Sequence, residues 1–328
     1  MRTRTARRFF VSLSTLALAL GAAGSTLAQE AKWPSKPIRI VVAFPPGGLT
    51  DAIARNYGEH LSGKLGVPVV IDNKPGAGAI IGIDAVAKAP ADGYTLLMAS
   101  EAVFSLNPEL RSKISYNPQK DFAPITKLVS AQLMMAVRPD LPANNVAEFI
   151  AYAKANPGKV TYGSTGQGGV LHLGMSWFST LYGLKMEHVA YNGLPPALQD
   201  VMAGRVDAII AIPGGVMPHV NAGKLKAYAV PGNARVRIAP NVPTFTEVGY
   251  PDFEASVYFG LVAPAGTPAD IIQRTSTDVS RVVRAPDFQE KYLVNIGFEP
   301  GGETPAQFAA FLKTDRESAA KRVRAANV

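Results

Sequence analysis

Residues 38–65 read IRIVVAF, PPGG, LTDAIARNYGEHLSGKL: a β-branched run that stops at Pro45-Pro46-Gly47-Gly48 and gives way at once to a helical pattern. The run is too uniformly apolar for a sheet with one wet face, so it predicts a strand buried on both sides. Ile53, Tyr57, Leu61 and Leu65 recur every four residues, one stripe of an amphipathic helix. Thr50 or Asp51 is expected to cap its first turn with a side-chain oxygen. A buried strand feeding a helix through a glycine turn leaves amide N–H groups pointing out of the sheet's carboxyl edge. The turn is either an anion receptor built from backbone or an ordinary strand-to-helix connection. Both readings commit the chain to an α/β architecture.

The unit recurs. Val67–Asn73 predicts a second strand, Lys74–Gly78 a second glycine turn, Ala79–Lys88 a short helix and Tyr94–Ser100 a third strand. Such tight alternation implies a parallel sheet with right-handed crossovers, with Ser100 emerging at the same edge. Ile125–Val137 reads as a strand crossing to a second unit. There Ala147–Ala155 is helical, Lys159–Tyr162 a strand, Gly163–Gly169 (GSTGQGG) another glycine turn and Val170–Leu181 a helix. Met186–Val189, Arg205–Ala211 and Leu225–Val230 read as further strands, with helices at Pro195–Gly204 and Pro213–Gly223. Ala255–Ala263 looks like the return crossing, and three helices complete the chain. Ligands in open α/β sheets sit outside the strands' carboxyl ends. Two such edges joined by two crossings predict a cleft, with 29–128 and 253–328 as one lobe and 129–252 as the other.

The first residues stand apart. Arg2, Arg4, Arg7 and Arg8 precede an apolar run from Phe9 to Leu20 and small residues ending Ser25-Thr26-Leu27-Ala28. That is the pattern of a signal peptide, 1–28, cleaved after Ala28. Arg7-Arg8-Phe9-Phe10 partly matches a twin-arginine signal, and the general secretory route is favoured. Removing those arginines lowers the formal charge from +8 to +4, and no block of like charges points to nucleic acid. With 47% hydrophobic residues and no second long apolar stretch, the remainder is expected to be soluble and globular; the export signal points to a secreted or periplasmic protein, and a closing cleft works as a monomer. There is no cysteine, which excludes disulfides, thiolate metal sites and a cysteine nucleophile.

Catalysis finds little footing. Gly163-Ser164-Thr165-Gly166 lies on a strand-to-helix turn but lacks the Gly-x-Ser-x-Gly spacing of a nucleophile elbow. A Ser164–His172 dyad is the conceivable exported hydrolase; hydrogen bonding to a ligand or to the loop itself is the alternative role. His60, His172, His188 and His219 show no helical pairing and no His-Glu-x-x-His pattern, so no metal is expected. Gly76, Gly78 and Gly82 miss the dinucleotide spacing by one residue, and no cofactor is expected. Tyr57, Phe149, Trp177 and Tyr258 read as core, whereas Phe44, Phe104 and Tyr191 could be core or the walls of a pocket.

The stretches WPSKPIRIVVAFPPGGLTD, IDNKPGAGAIIGIDAVAKAPADGYTLLM, KANPGKVTYGSTGQGG, HVAYNGLPPALQDVMAGRVD and VPTFTEVGYPDFEASVYFGLVAPAGTP resemble the Bug (TctC-like) family. These are extracytoplasmic receptors of tripartite tricarboxylate transporters, and the resemblance runs in order through the chain beyond 1–28. It implies a non-enzymatic, two-lobe fold of the periplasmic binding-protein type II kind, closing on a small organic carboxylate. The partner would be the membrane subunits of such a transporter, or a sensor protein. Carried onto this chain, the first-lobe contacts would be Phe44, Gly47, Gly48, Thr50, Asp51, Ala77 and Ser100. The second-lobe contacts would be Ser164, Thr165, Gly166, Gln167, His172, Tyr191 and Gly193. Relatives often carry Ser or Thr where this chain has Gly169-Val170, and Lys or Arg where Asn192 stands. They also often have an Asp near Ala211 and a polar residue where Pro213-Gly214-Gly215 lies. These departures imply a ligand less polar than citrate, an aromatic or aliphatic mono- or dicarboxylate.

Overall fold

The computed structural model describes residues 33–326; the signal peptide expected over 1–28 and its cleavage site lie outside the described residues. The described residues from Lys36 onward group as a single unit that contains both sheets. In chain order the strands are β1 (Ile38–Val42), β2 (Val69–Asn73), β3 (Thr95–Ala99), β4 (Phe122–Gln132), β5 (Met134–Val137), β6 (Val160–Ser164), β7 (Met186–Ala190), β8 (Ala208–Ala211), β9 (Lys226–Ala229), β10 (Ser256–Pro264) and β11 (Glu299–Pro300). The helices are α1 (Leu49–Leu65), α2 (Ile80–Ala87), α3 (Val146–Ala155), α4 (Val170–Leu181), α5 (Leu194–Met202), α6 (Pro213–Asn221), α7 (Ala269–Val283), α8 (Pro286–Tyr292) and α9 (Pro305–Ala326). The stretch after β3 forms a π-helical turn, Ala102–Leu106, that runs into one α-helical turn, Asn107–Leu110.

The two sheets run β11-β4-β10-β3-β1-β2 and β7-β6-β8-β5-β9. In the first, β1 lies between β2 and β3 and is parallel to both, and its apolar residues are buried as a two-faced strand requires. Arg39 alone is exposed on β1, and its guanidinium reaches Asp72 across the sheet at 3.4 Å. In the second, β6 is parallel to β7 and β8. The crossings make both sheets mixed: β10 is antiparallel to β3 and β4, and β5 is antiparallel to β8 and β9.

The expected crossing strand Ile125–Val137 is two strands. The chain pairs with β10 in the first sheet as far as Gln132 and joins the second at Met134. Between them the Leu133 N–H donates to the Ala255 carbonyl at 2.9 Å, so outgoing and returning chains cross side by side. Leu133, Met134 and Met135 are all buried, and hydropathy therefore carries no mark of the change of sheet.

Helices cover the sheet faces through close approaches that only glycine allows. A Cβ on Gly82 of α2 would stand 2.8 Å from both the Ala43 Cα and the Lys74 carbonyl oxygen, atoms of the backbone that cannot step aside. Gly63, on the exposed side of α1, has nothing within 4 Å of such a position. Gly82→Ala is therefore expected to lower stability by about 1–3 kcal/mol. Gly63→Ala is expected to raise it by roughly 0.5–1 kcal/mol through helix propensity. Thermal unfolding followed by circular dichroism checks both signs; a neutral Gly82→Ala would contradict the packing of α2 on the ends of β1 and β2.

Candidate ligand site

At the first sheet's carboxyl edge, the turn after β1 is tied down by one carboxylate. Asp51 Oδ2 accepts from the Gly47 N–H and from Arg55 Nε, each at 2.9 Å, and Oδ1 accepts from Asn73 Nδ2 at 3.0 Å. The same Asn73 amide reaches the Phe44 carbonyl at 3.2 Å, so β2, the turn and α1 meet at this side chain. The Arg55 hydrogen bond, helped by Gly47 and Asn73 against the cost of burial, holds the Asp51 carboxyl at about 2. Its charge is spent inside the protein.

Neither Thr50 nor Asp51 caps α1. The N-cap is Gly48, in extended conformation and with no side-chain cap. Asp51 sits three residues into the helix and bonds backwards to the turn, in the manner of the acid in a capping box. Thr50 is buried beside it. Gly47 and Gly48 are exposed, and the first-turn N–H groups of α1 have no intrahelical partner.

The neighbouring turn after β2 is strained. Gly76, Ala77, Gly78 and Ala79 have φ of 130°, 48°, 66° and 76°, a short left-handed turn that includes two alanines. Each alanine costs roughly 1–2 kcal/mol in that region. The turn is fastened by Asn107, whose Nδ2 donates to the Gly78 carbonyl at 2.9 Å. Ala77 is exposed at its tip, whereas Ser100 is buried at the end of β3. Leu49 and Ile81, two of the few large apolar side chains left exposed, follow these turns.

At the second sheet's carboxyl edge the arrangement recurs with different parts. The N-cap of α4 is Gly169, again extended and without a side-chain cap. The turn leading to it is held by Ser164, whose Oγ accepts from the Gly166 N–H at 3.1 Å and lies 2.6 Å from His188 Nε2. It is held also by His172, whose Nδ1 accepts from the Gly168 N–H at 3.0 Å. The rings of His172 and His188 stack with centroids 3.8 Å apart, and Tyr162 extends the stack beyond His188. An Nδ1 that accepts from a backbone amide must be unprotonated, so His172 is the neutral tautomer. Burial, and then the neighbouring His188, push His172 down to about 4. Thr165, Gly166 and Gln167 stand at the surface of this turn or close to it. Beside them Tyr191 is half-buried and donates to Asp200 Oδ2 at 2.6 Å, and Gly193 is the N-cap of α5.

The expected residues thus divide by exposure. Phe44, Gly47, Gly48, Ala77, Thr165, Gly166, Gln167, Tyr191 and Gly193 keep accessible surface at the turns, whereas Thr50, Asp51, Ser100, Ser164 and His172 are buried. Phe104 is buried edge-on to Phe122 and also lines a groove beside α9, away from these turns. The Ser164–His172 dyad does not form, because His172 is engaged with Gly168 and the ring beside Ser164 belongs to His188. Ser164 has no accessible surface, and among the described residues no carboxylate is hydrogen-bonded to His188 to orient it as a base. Among the described residues no group of three or more potential metal ligands occurs. Gly214, expected where relatives place a polar side chain, is a close approach: a Cβ there would lie 2.6 Å from the Ile296 carbonyl oxygen. A groove of about 360 Å³ between α9 and the Pro118–Pro124 segment shares no residue with these turns. Two further residues hold these turns without a signal in the sequence: Asn107, which sits in an aperiodic stretch, and His188, whose role exists only through the pairing of β6 with β7.

The histidine latch has a pH signature. The folded chain binds the His172 proton less readily than the unfolded chain, for which a pKa near 6.5 holds. Unfolding therefore takes up a proton between about pH 4 and 6.5. The stability is complete above pH 6.5 and declines as the pH falls through that window. His188, lowered by burial, acts in the same sense. Wild-type protein is expected to lose on the order of 2 kcal/mol more than His172→Gln between pH 7 and pH 4. Parallel urea unfolding curves at the two pH values measure it; identical losses would remove His172 as the cause.

The family model of the tripartite tricarboxylate transporter family receptor, TctC, matches residues 53–327. The UPF0065 protein in the gbd 5' region of Cupriavidus necator is 35% identical over 309 residues, spanning 93% of each chain. Protein BugT of Bordetella pertussis is 35% identical over 281 residues, 85% of this chain and 86% of that one. Among solved structures, an R. palustris protein determined with adipate superposes with a TM-score of 0.79 at 32% identity, covering 90% of this chain and 98% of the other. The periplasmic binding protein BugD gives 0.75 at 32% identity, covering 90% and 99%. With two α/β sheets joined by crossing strands and a family match across most of its length, the chain belongs to the TctC family of tripartite tricarboxylate transporter receptors.

Proposed function

We propose that this protein is a periplasmic receptor that closes on a small organic carboxylate less polar than citrate, an aliphatic or aromatic mono- or dicarboxylate, and delivers it to the membrane subunits of a tripartite tricarboxylate-type transporter. The observation that carries the reading is the pair of helices, α1 and α4, that begin at glycine N-caps without side-chain caps on the carboxyl edges of the two sheets. Backbone N–H groups and the helix dipole at such ends favour an anion without a full counter-charge. Of the likewise similar structures, one holds adipate and another, MatC of R. palustris, holds malate. Both are small dicarboxylates. Exposed Leu49 and Ile81 favour a ligand with an apolar chain.

In this reading the lobes are 36–132 with 256–326 and 133–255, hinged where Leu133 meets Ala255, and closure is the two-state element a membrane partner would read. The accessible turn residues touch the ligand, and the buried ones hold the turns. In this reading the protein acts as a monomer and not as an enzyme, and the full burial of Ser164 counts against the serine-hydrolase alternative.

Thermal unfolding of the exported protein against carboxylates, amino acids and sugars tests this. A carboxylate at about 100 times its dissociation constant is expected to add about 2.7 kcal/mol, a shift of a few degrees at this size. Adipate is expected to outrank citrate and aspartate, and sugars to do nothing. A midpoint raised by sugars alone would overturn the receptor reading, and citrate or aspartate outcompeting every less polar acid would overturn the ligand class.

A further inference from the structure

Arg111 stands beside the turn after β2, and the residue before it reaches the turn that enters α4. It follows the Asn107–Leu110 helical turn, and its Nε donates to Asn107 Oδ1 at 3.2 Å. Asn107 is itself only 5% exposed and donates through Nδ2 to the Gly78 carbonyl, so a single amide fixes both the arginine and the strained turn. The Arg111 guanidinium lies against Gly78, in the space a Cβ there would fill. The preceding residue, Leu110, puts its Cδ1 3.5 Å from the Cβ position of Gly168, on the turn that enters α4. Arg111 is exposed, and among the described residues no carboxylate lies within ion-pair distance of it. Arg55, Arg138, Arg205, Arg235 and Arg274, by contrast, each have an acidic partner. A guanidinium held by Nε keeps both terminal nitrogens available, the fork that fits a carboxylate. Strained backbone at Ala77 and Ala79 beneath it is the kind of cost that persists at ligand clamps.

We propose that Arg111 is the specificity-determining anchor for a second carboxylate, so that the ligand is a linear dicarboxylate. One end sits on the N–H groups at the starts of α1 and α4, and the other on the Arg111 fork over Gly78. This rests on the receptor reading and narrows its ligand class. The β1 and β2 turns are about one strand spacing apart, roughly 5 Å, so a ligand that bridges them needs a chain of a few carbons between its acids. A monocarboxylate with the same chain leaves the guanidinium unanswered.

The test is calorimetric titration of the exported, purified protein and its Arg111→Gln and Arg111→Lys variants with adipate and with hexanoate, which share a six-carbon chain. Wild-type protein is expected to prefer adipate. Arg111→Gln is expected to weaken adipate roughly 10- to 100-fold and leave hexanoate within about twofold, with Arg111→Lys between, since lysine keeps the charge and loses the fork. An unchanged preference for adipate in Arg111→Gln would overturn the proposal while leaving the receptor reading in place. So would an equal loss for both acids, which marks a structural role. Wild-type protein that binds neither acid, nor any carboxylate of the thermal panel, overturns the receptor reading and this proposal with it.

Discussion

Two helices that begin without a side-chain cap govern the rest of this molecule. Gly48 and Gly169 each leave the first N–H groups of a long helix facing out of a sheet edge. Glycine in that position costs only a few tenths of a kcal/mol relative to serine or aspartate. What it gives in return is space, since a glycine N-cap places no side chain of its own over the amides of the first turn. The demand passes inward from there. Amides can select a ligand only if they are already in place, and each turn is accordingly fastened from behind by a buried polar side chain: Asp51 on Gly47, His172 on Gly168, and Asn107 on Gly78.

These fastenings also settle the electrostatics. Asp51 would repel an anionic ligand if its charge were free, yet Arg55, Gly47 and Asn73 absorb it. His172 would attract one if protonated, yet burial and the neighbouring His188 keep it neutral, as its accepting Nδ1 requires. The turns thus present oriented dipoles in place of fixed charges, which suits a receptor that must release what it binds. Arg111 is the exception, a cation carried to the same region by an aperiodic segment.

Much of this was legible in the amino acids. The buried strand, glycine turn and four-residue stripe of β1 and α1 follow from spacing, and α4 begins and ends where its hydrophobic period does. The change of sheet at Leu133 was not legible, because Leu133, Met134 and Met135 continue as one buried apolar run with no turn residue to mark the break. The stacked histidines were not either: one stands on a helix and the other on an edge strand, and only the folded sheet brings them together. Ala77 and Ala79 hid their left-handed backbone behind residues that ordinarily avoid it. Asn107 and Arg111 lay in a stretch with no period to follow. The missed features are those that depend on contacts between elements, and they gather at the turns.

The claim that backbone amides at these two turns grip the ligand is tested most directly by amide NMR of isotopically labelled protein titrated with adipate. The N–H resonances of Gly47–Asp51 and Gly166–Val170 are expected to move together and saturate at one ligand per chain. Saturable shifts confined to other regions, with both turns unmoved, would contradict it.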